Sequence, residues 1–262
     1  MNIKNTSPLR YPGGKTRACK NLNNILIEHF DLSKYNTLIS PFFGGGSFEM
    51  FLQHKYNFNI IANDKFKPLY NFWITCKNDK DNLCKELYTK IDNITKTDFL
   101  QYRNSIMNES NILHSSISYF IINRCSFNGS TLSGGFSLEA SKKRFTKSSI
   151  DRINALDLSL FNMSNIDFEK FINENSGDDN LMFLDPPYYL KKSNLYGNNG
   201  DMHENFNHIQ LFNCISVKKN WIMTYNNCPF IKNLYKDFKI IETSWTYSMN
   251  KSKVSSEIVI IS

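Results

Sequence analysis

The spacing of apolar residues changes several times along the chain, and each change marks an element. Leu22, Ile25, Leu26 and Phe30 recur at helical intervals and predict an amphipathic helix leading out of Lys15. Thr37 to Ser40 is a short β-prone run that stops at Pro41, followed by Phe42-Phe43-Gly44-Gly45-Gly46. Beyond the glycines, Phe48, Phe51 and Leu52 return to helical spacing, so this stretch predicts strand, glycine turn, helix. Phe58 to Ala62 predicts a second strand, closing on Asn63-Asp64.

The middle of the chain has a different character. Leu83, Leu87 and Ile91 predict a helix, Thr97-Asp98 a cap for another, and Ile117, Phe120 and Ile121 a third. Asn123 to Phe136 is rich in Gly, Ser, Thr and Asn and predicts a polar loop, with a basic cluster, Lys142-Lys143-Arg144 and Lys147, behind it. Leu181 to Leu184 then predicts a strand running into Asp185-Pro186-Pro187-Tyr188. Ile209, Leu211, Phe212 and Ile215 predict a helix, and Trp221 to Tyr225, Phe238 to Ile241 and Ile258 to Ile261 three more strands. The last two are expected to join through a hairpin at Trp245 to Lys253, with Lys251 and Lys253 at its tip. Strands alternating with helices imply an α/β fold with a mainly parallel sheet, interrupted by a mostly helical insertion. In such sheets ligands bind beyond the carboxyl ends of the strands, where each conspicuous motif here falls.

Composition narrows this picture a little. A chain of 262 residues buries one large core, or one core and a smaller lobe. The formal charge of +7 suits a polyanionic partner, and equally a basic surface with no such role. Six scattered cysteines without a C-x-x-C pair suggest neither a zinc site nor a disulfide framework, and no metal is expected. The first ten residues lack the apolar centre of a signal peptide, and no apolar run approaches the roughly 20 residues that cross a bilayer. A soluble protein of the cytoplasm is expected, or of a host nucleus or cytoplasm if viral.

Four motifs carry chemistry. In Asp185-Pro186-Pro187-Tyr188 each proline fixes its φ and lacks an N–H, giving a stiff loop with free carbonyls between a carboxylate and an aromatic ring. A carboxylate and a carbonyl together accept both hydrogens of a nucleobase amino group, and a ring stacks on a base drawn out of its duplex. A plain proline turn capping a strand is the other reading. Pro41 to Ser47 allows close approach of a ligand to the backbone, or is only a tight turn. Its spacing does not match G-x-G-x-x-G, which disfavours a nicotinamide cofactor. Asp64 ends the next strand, where an acid binds ribose hydroxyls or caps a helix. Leu9-Arg10-Tyr11-Pro12-Gly13-Gly14-Lys15 offers a ring for an adenine-sized group and a lysine for a carboxylate. It is not a P-loop, because Leu9 stands where that motif needs glycine.

Taken in order, R-Y-P-G-G-K, P-F-F-G-G-G, N-D and D-P-P-Y resemble the Dam-type, alpha-group DNA adenine N6-methyltransferases. Asn123-Arg124-Cys125-Ser126-Phe127-Asn128-Gly129 resembles that family's N-R-x-x-x-N-G segment, and Gly134-Gly135-Phe136 follows as in its hairpins. The motifs span residues 9 to 188. The resemblance implies a Rossmann-like S-adenosylmethionine-dependent methyltransferase sheet, with residues 1-70 and 156-262 catalytic and 71-155 an inserted target-recognition domain. It implies transfer of a methyl group from S-adenosyl-L-methionine to the adenine 6-amino group in a short duplex DNA site, after base flipping. Asp185, Pro186, Pro187 and Tyr188 match catalytic positions. Tyr11, Lys15, Pro41, Phe42, Phe43, Gly44, Gly46, Asp64 and Asp185 match cofactor-binding positions, and Asn123, Arg124 and Asn128 would lie near DNA. A restriction endonuclease acting on the same site is a candidate partner.

Ser40 departs from the pattern, because the family usually has an acid immediately before P-F-x-G. Three competing assignments remain at this level: an RNA adenine methyltransferase, a cytosine amino-methyltransferase, and a nucleic-acid-binding protein that has lost catalysis. His203 and His208 read as loop and helix-surface residues rather than metal ligands. Asp201 to Asn207 resembles the family's loop after the catalytic motif. Lys142 to Lys147 is either a solvated run or a set of phosphate contacts.

Overall fold

A computed structural model describes residues 6–189, 206–246 and 254–262, with the backbone alone at Asn128, Trp245, Thr246, Val254 and Ser255. Seven strands form one sheet in the order β3-β2-β1-β4-β5-β7-β6. They are β1 (Thr37–Ser40), β2 (Asn59–Asn63), β3 (Phe161–Ser164), β4 (Asn180–Leu184), β5 (Trp221–Asn226), β6 (Lys239–Thr246) and β7 (Val254–Ile261). The first five run parallel, and β7 is antiparallel to both β5 and β6. The doubly wound α/β architecture is the one expected.

The central strands β1, β4 and β5 are short and buried on both faces, so they read as apolar runs rather than alternations. Leu38, Leu181, Phe183, Ile222 and Val259 enter one core with α1 (Cys19–His29), α2 (Ser47–Tyr56) and α3 (Lys67–Asn78). Their neighbours Ile39, Met182, Leu184, Met223 and Ile258 point to the other face. There they pack on α9 (Phe168–Asn175), α10 (His208–Ile215) and α11 (Pro229–Leu234).

Between β2 and β3 run α3, α4 (Lys80–Thr89), α5 (Lys96–Ser105), α6 (Ile112–Cys125), α7 (Leu138–Arg144) and α8 (Lys147–Asn154). They share the first core through Phe72, Trp73, Leu83, Phe99, Phe120 and Ile150. The central member is α6, where every residue from Ser115 to Cys125 is buried. A helix enclosed on all sides has no amphipathic period. That is why the polar loop expected from Asn123 instead begins three residues later. The cap expected at Thr97-Asp98 forms at Thr95, whose hydroxyl accepts from Asp98 N–H while the Asp98 carboxylate accepts from Thr95 N–H. Six of these elements escaped the periodicity: α3, α7, α8, α9, α11 and the four-residue β3. In α3 the signal was present, since Pro68 opens the helix and Leu69, Phe72, Trp73 and Cys76 lie on its buried side.

The chain leaves β1 for β2 and β3 on one side and returns to β4 on the other. A topological switch point therefore lies between β1 and β4. The Pro41–Gly46 turn leaves one of these strands and the Asp185–Tyr188 loop the other. Among the described residues no helix is long and apolar enough to cross a membrane.

Candidate active site

The centre of the site is an ion pair between residues 170 positions apart. Lys15 Nζ donates to both oxygens of Asp185, at 2.7 and 2.8 Å, and to the Gly13 carbonyl at 3.0 Å. Lys15 is 3% exposed, so its charge has left water and needs these partners. Thr224, midway along β5, donates to Asp185 Oδ1 at 2.6 Å. Oδ1 thus holds two hydrogen bonds and Oδ2 one, which leaves acceptor capacity on Oδ2. Lys15 Nζ also stands 5.1 Å from the centroid of the Tyr188 ring.

Tyr188 is anchored at its far end. Its hydroxyl donates to Glu257 Oε2 at 2.5 Å, and its ring lies 6.1 Å from that of Tyr225. The following Tyr189 stacks on Phe230 at 4.4 Å, and its carbonyl accepts from Asn226 at 2.8 Å. Pro186 is buried and Pro187 partly exposed. The loop after β4 therefore presents a carboxylate and a ring that are both held from behind.

The glycine turn has an occupant within the chain itself. A Cβ on Gly44 would come within 2.8 Å of the Tyr11 ring, and one on Gly45 within 2.8 Å of Tyr11 Cβ. Gly44 and Gly46 also take left-handed backbone angles, with φ of 51° and 63°. The bare backbone here is required by Tyr11 lying against it. Phe43 turns inward, 3% exposed, with Trp73 and Phe161 at 5.3 and 5.1 Å, while Phe42 packs on Phe168 and Phe206. Buried Pro41 accepts through its carbonyl from Asn63. Asp64 ties the turn down, one oxygen accepting from Gly44 N–H and the other from Phe66 N–H, both at 2.9 Å. Burial pushes its carboxyl up to about 6, against the pull of those two N–H groups.

The acid missing at position 40 has a counterpart on α2. Ser40 Oγ donates to Glu49 Oε1 at 2.7 Å, and both residues are buried. Burial raises the Glu49 carboxyl to about 7; the Ser40 hydrogen bond opposes this, Asp185 adds to it, and Lys15 lowers it.

Asn123, Arg124 and Asn128 were expected near DNA. The first two sit inside the fold, on the N-terminal segment. Asn123 accepts from Arg10 N–H at 3.0 Å and donates to the Arg10 carbonyl at 2.8 Å, a clamp on both backbone groups. Arg124 donates to the carbonyls of Pro8 and Arg144. Its pKa falls to about 10 through burial, with Arg10, Arg152 and Arg144 adding to the effect. Gly129 packs on Arg10, where a Cβ would meet Arg10 Cβ at 2.9 Å. Asn128 lies in the single turn Phe127–Gly129, and its side chain is outside the described set. Next to it Phe127 is 63% exposed.

Buried His208 meets the Tyr225 hydroxyl at 2.6 Å rather than facing solvent. His203, residues 201–205, and the hairpin tip with Lys251 and Lys253 lie outside the described residues. Glu49, Thr224 and Glu257 were not singled out in the sequence. A threonine inside W-I-M-T-Y and a glutamate opening E-I-V-I-I are its only traces of the last two.

A family model described as D12 class N6 adenine-specific DNA methyltransferase matches residues 11–249. The type II methyltransferase M.MjaIII of Methanocaldococcus jannaschii is 31% identical over 91 residues, which is 34% of this chain. The match spans 32% of that relative's own length.

Two stability outcomes follow. Folded Glu49 binds its proton up to about 7 and an unfolded glutamate only to about 4.5, so stability falls as pH rises across that window. Glu49→Gln should leave stability unchanged at pH 4.5 and raise it above pH 7 by up to about 3 kcal/mol. Urea melts at both pH values measure this, and equal stability of the two proteins at pH 8 would refute it. Asn123→Ala strands both Arg10 backbone groups and should cost about 1–3 kcal/mol. A loss under about 0.5 kcal/mol in the same melts would mean the clamp contributes nothing.

Proposed function

From the premise that this chain belongs to the D12 class N6 adenine-specific DNA methyltransferase family, we propose that it methylates the 6-amino group of adenine in a short duplex DNA sequence, using S-adenosylmethionine. The observation that carries this reading is the Asp185 carboxylate, fixed by Lys15 and Thr224 at the sheet's switch point with the Tyr188 ring beside it.

The residues present suit the donor. It carries a cationic ammonium and sulfonium, a carboxylate, a ribose diol and an adenine. Asp185 and Asp64 are acidic acceptors at the ends of β4 and β2, with the turn after β1 between them. Lys15, whose three N–H groups go to Asp185 and Gly13, orients the Asp185 carboxylate, and Tyr11, partly exposed on the glycines, is a wall for a planar group. When bound, S-adenosylmethionine supplies an activated methyl group on sulfur.

The protein's own part is positioning. Asp185 accepts one hydrogen of the adenine amino group and the Pro186 carbonyl the other, which draws the nitrogen lone pair out of the ring. Pro187, with no N–H of its own, keeps the loop stiff behind that carbonyl. Tyr188 stacks on the extruded base, because the amino group is out of reach within a duplex. Lys15 and Thr224 stop the carboxylate from swinging away, so its orientation is set before substrate arrives.

We assign DNA reading to residues 71-155 and chemistry to 1-70 and 156-262, with α3 running across residue 70. Asn123 and Arg124 serve by holding Arg10 and Pro8, and the exposed neighbour Phe127 is the group that meets DNA. An exposed aromatic ring two residues before Gly129, which packs on Arg10, matches the apolar wedges that part base steps. Asn128, in the same turn, is kept as a base contact. A restriction endonuclease sharing the site would be the protein's counterpart.

Incubation of the purified protein with methyl-free genomic DNA and labelled donor, followed by sequencing of modified sites, tests the activity. N6-methyladenine should appear within one short recurring sequence. Asp185→Ala should reduce transfer by about 100-fold or more while the thermal melt still shows a folded protein. Transfer at the parental rate would remove Asp185 from the mechanism. Phe127→Ala should weaken duplex binding about tenfold, read by fluorescence anisotropy, with donor affinity unaltered. Undiminished duplex affinity would exclude the wedge.

A further inference from the structure

We infer that Glu257 is a positioning residue for the methyl transfer: its carboxylate, reaching from β7, sets the plane in which the Tyr188 ring receives the base. The inference rests on the reading of Tyr188 given above. Glu257 pairs in register with Asn226 at the end of β5, which places it beside the loop that follows β4. It is 1% exposed, although Ser256 before it faces solvent. Burying a carboxyl group is costly unless it is hydrogen-bonded, and the Tyr188 hydroxyl supplies such a bond at 2.5 Å.

A stacking platform works only if its plane is fixed. The Tyr188 hydroxyl is tethered to Glu257, while Lys15 Nζ stands over the ring at 5.1 Å. The same ammonium binds both oxygens of Asp185, so one lysine spaces the ring from the carboxylate. Loss of the tether releases the hydroxyl end of the ring, and each stray orientation loses overlap with the base. A phenylalanine supplies the same stacking surface with nothing for Glu257 to hold. The tether therefore accounts for a tyrosine at this position.

The test uses the full chain and a duplex carrying 2-aminopurine at the methylated adenine, whose emission reports the base's stacking. Four proteins are compared with the parent: Glu257→Leu, Glu257→Gln, Tyr188→Phe and the Tyr188→Phe/Glu257→Leu double variant. Glu257→Leu should lower the single-turnover rate about tenfold and alter the 2-aminopurine signal, with donor and duplex affinities within about twofold of the parent. Glu257→Gln keeps an acceptor oxygen and should recover most of that loss. The double variant should be no slower than Glu257→Leu alone, because both changes remove the same bond. Parental rates and emission for Glu257→Leu overturn the inference, as do losses that multiply in the double variant. If Glu257→Leu does not fold, Tyr188→Phe decides, and parental emission and rate in that variant are equally fatal. A parent protein that methylates no DNA defeats the functional reading itself, whereas a parent that does so with an indifferent Glu257 defeats only this inference.

Discussion

Removing one ammonium group from water organises this molecule. Lys15 is held in the interior by the Asp185 carboxylate, 170 residues away, and a buried charge left without its partner would cost several kcal/mol. The need to keep that pair closed brings the N-terminal segment across the top of the sheet to the end of β4. The rest of the site is arranged around that crossing. Tyr11 lies on glycines because no side chain would leave room for its ring, Asn123 and Arg124 grip the backbone at Pro8 and Arg10, and Thr224 takes up a further lone pair of Asp185.

This arrangement joins two parts of the chain that the sequence keeps apart. The helical insertion does not sit beside the catalytic sheet as a separate body, since Phe120 and Leu83 share a core with Leu38 and Leu181. Its enclosed central helix α6 carries the clamp on Arg10, and the next turn carries the exposed Phe127. A push on Phe127 by a duplex is therefore a push on the segment that delivers Tyr11 and Lys15. The proposed recognition and chemistry are linked through the Asn123 side chain, four residues before Phe127, which holds the Arg10 main chain next to Tyr11.

Much of this was legible in the sequence, and the parts that were not share a cause. The strands at 37, 59, 181 and 221 announced themselves as apolar runs, and D-P-P-Y stood out as a candidate site because rigidity and charge are properties of adjacent residues. Lys15 could be matched with a carboxylate in advance, since a lysine in a glycine turn has few other uses. The glycines were read correctly as a demand for close approach, but what approaches is Tyr11. Asn123 and Arg124 were expected near DNA because polar residues in an N-G segment invite that reading. Whether such a residue faces outward or inward depends on α6 being enclosed, and an enclosed helix leaves no periodic trace. Thr224 and Glu257 matter only through partners on other strands, and no local pattern encodes a contact of that kind.

The departure at Ser40 shows how such a contact changes the meaning of a substitution. Taken alone, a hydroxyl in place of an acid removes a negative charge from the cofactor's side of β1. In the fold a carboxyl stands one turn into α2 instead, where Glu49 accepts from that same hydroxyl. Asp185 and Lys15 act on Glu49 in opposite senses, so the three groups form one electrostatic unit of two carboxylates around one ammonium. Loss of the Glu49 proton therefore adds one negative charge to this unit. Moving the acid from a strand end into a helix and a dry setting thus changes its chemistry more than its place. A carboxyl in contact with water would stay ionised throughout the neutral range, whereas this one titrates within it, next to the carboxylate on which the proposed methyl transfer depends.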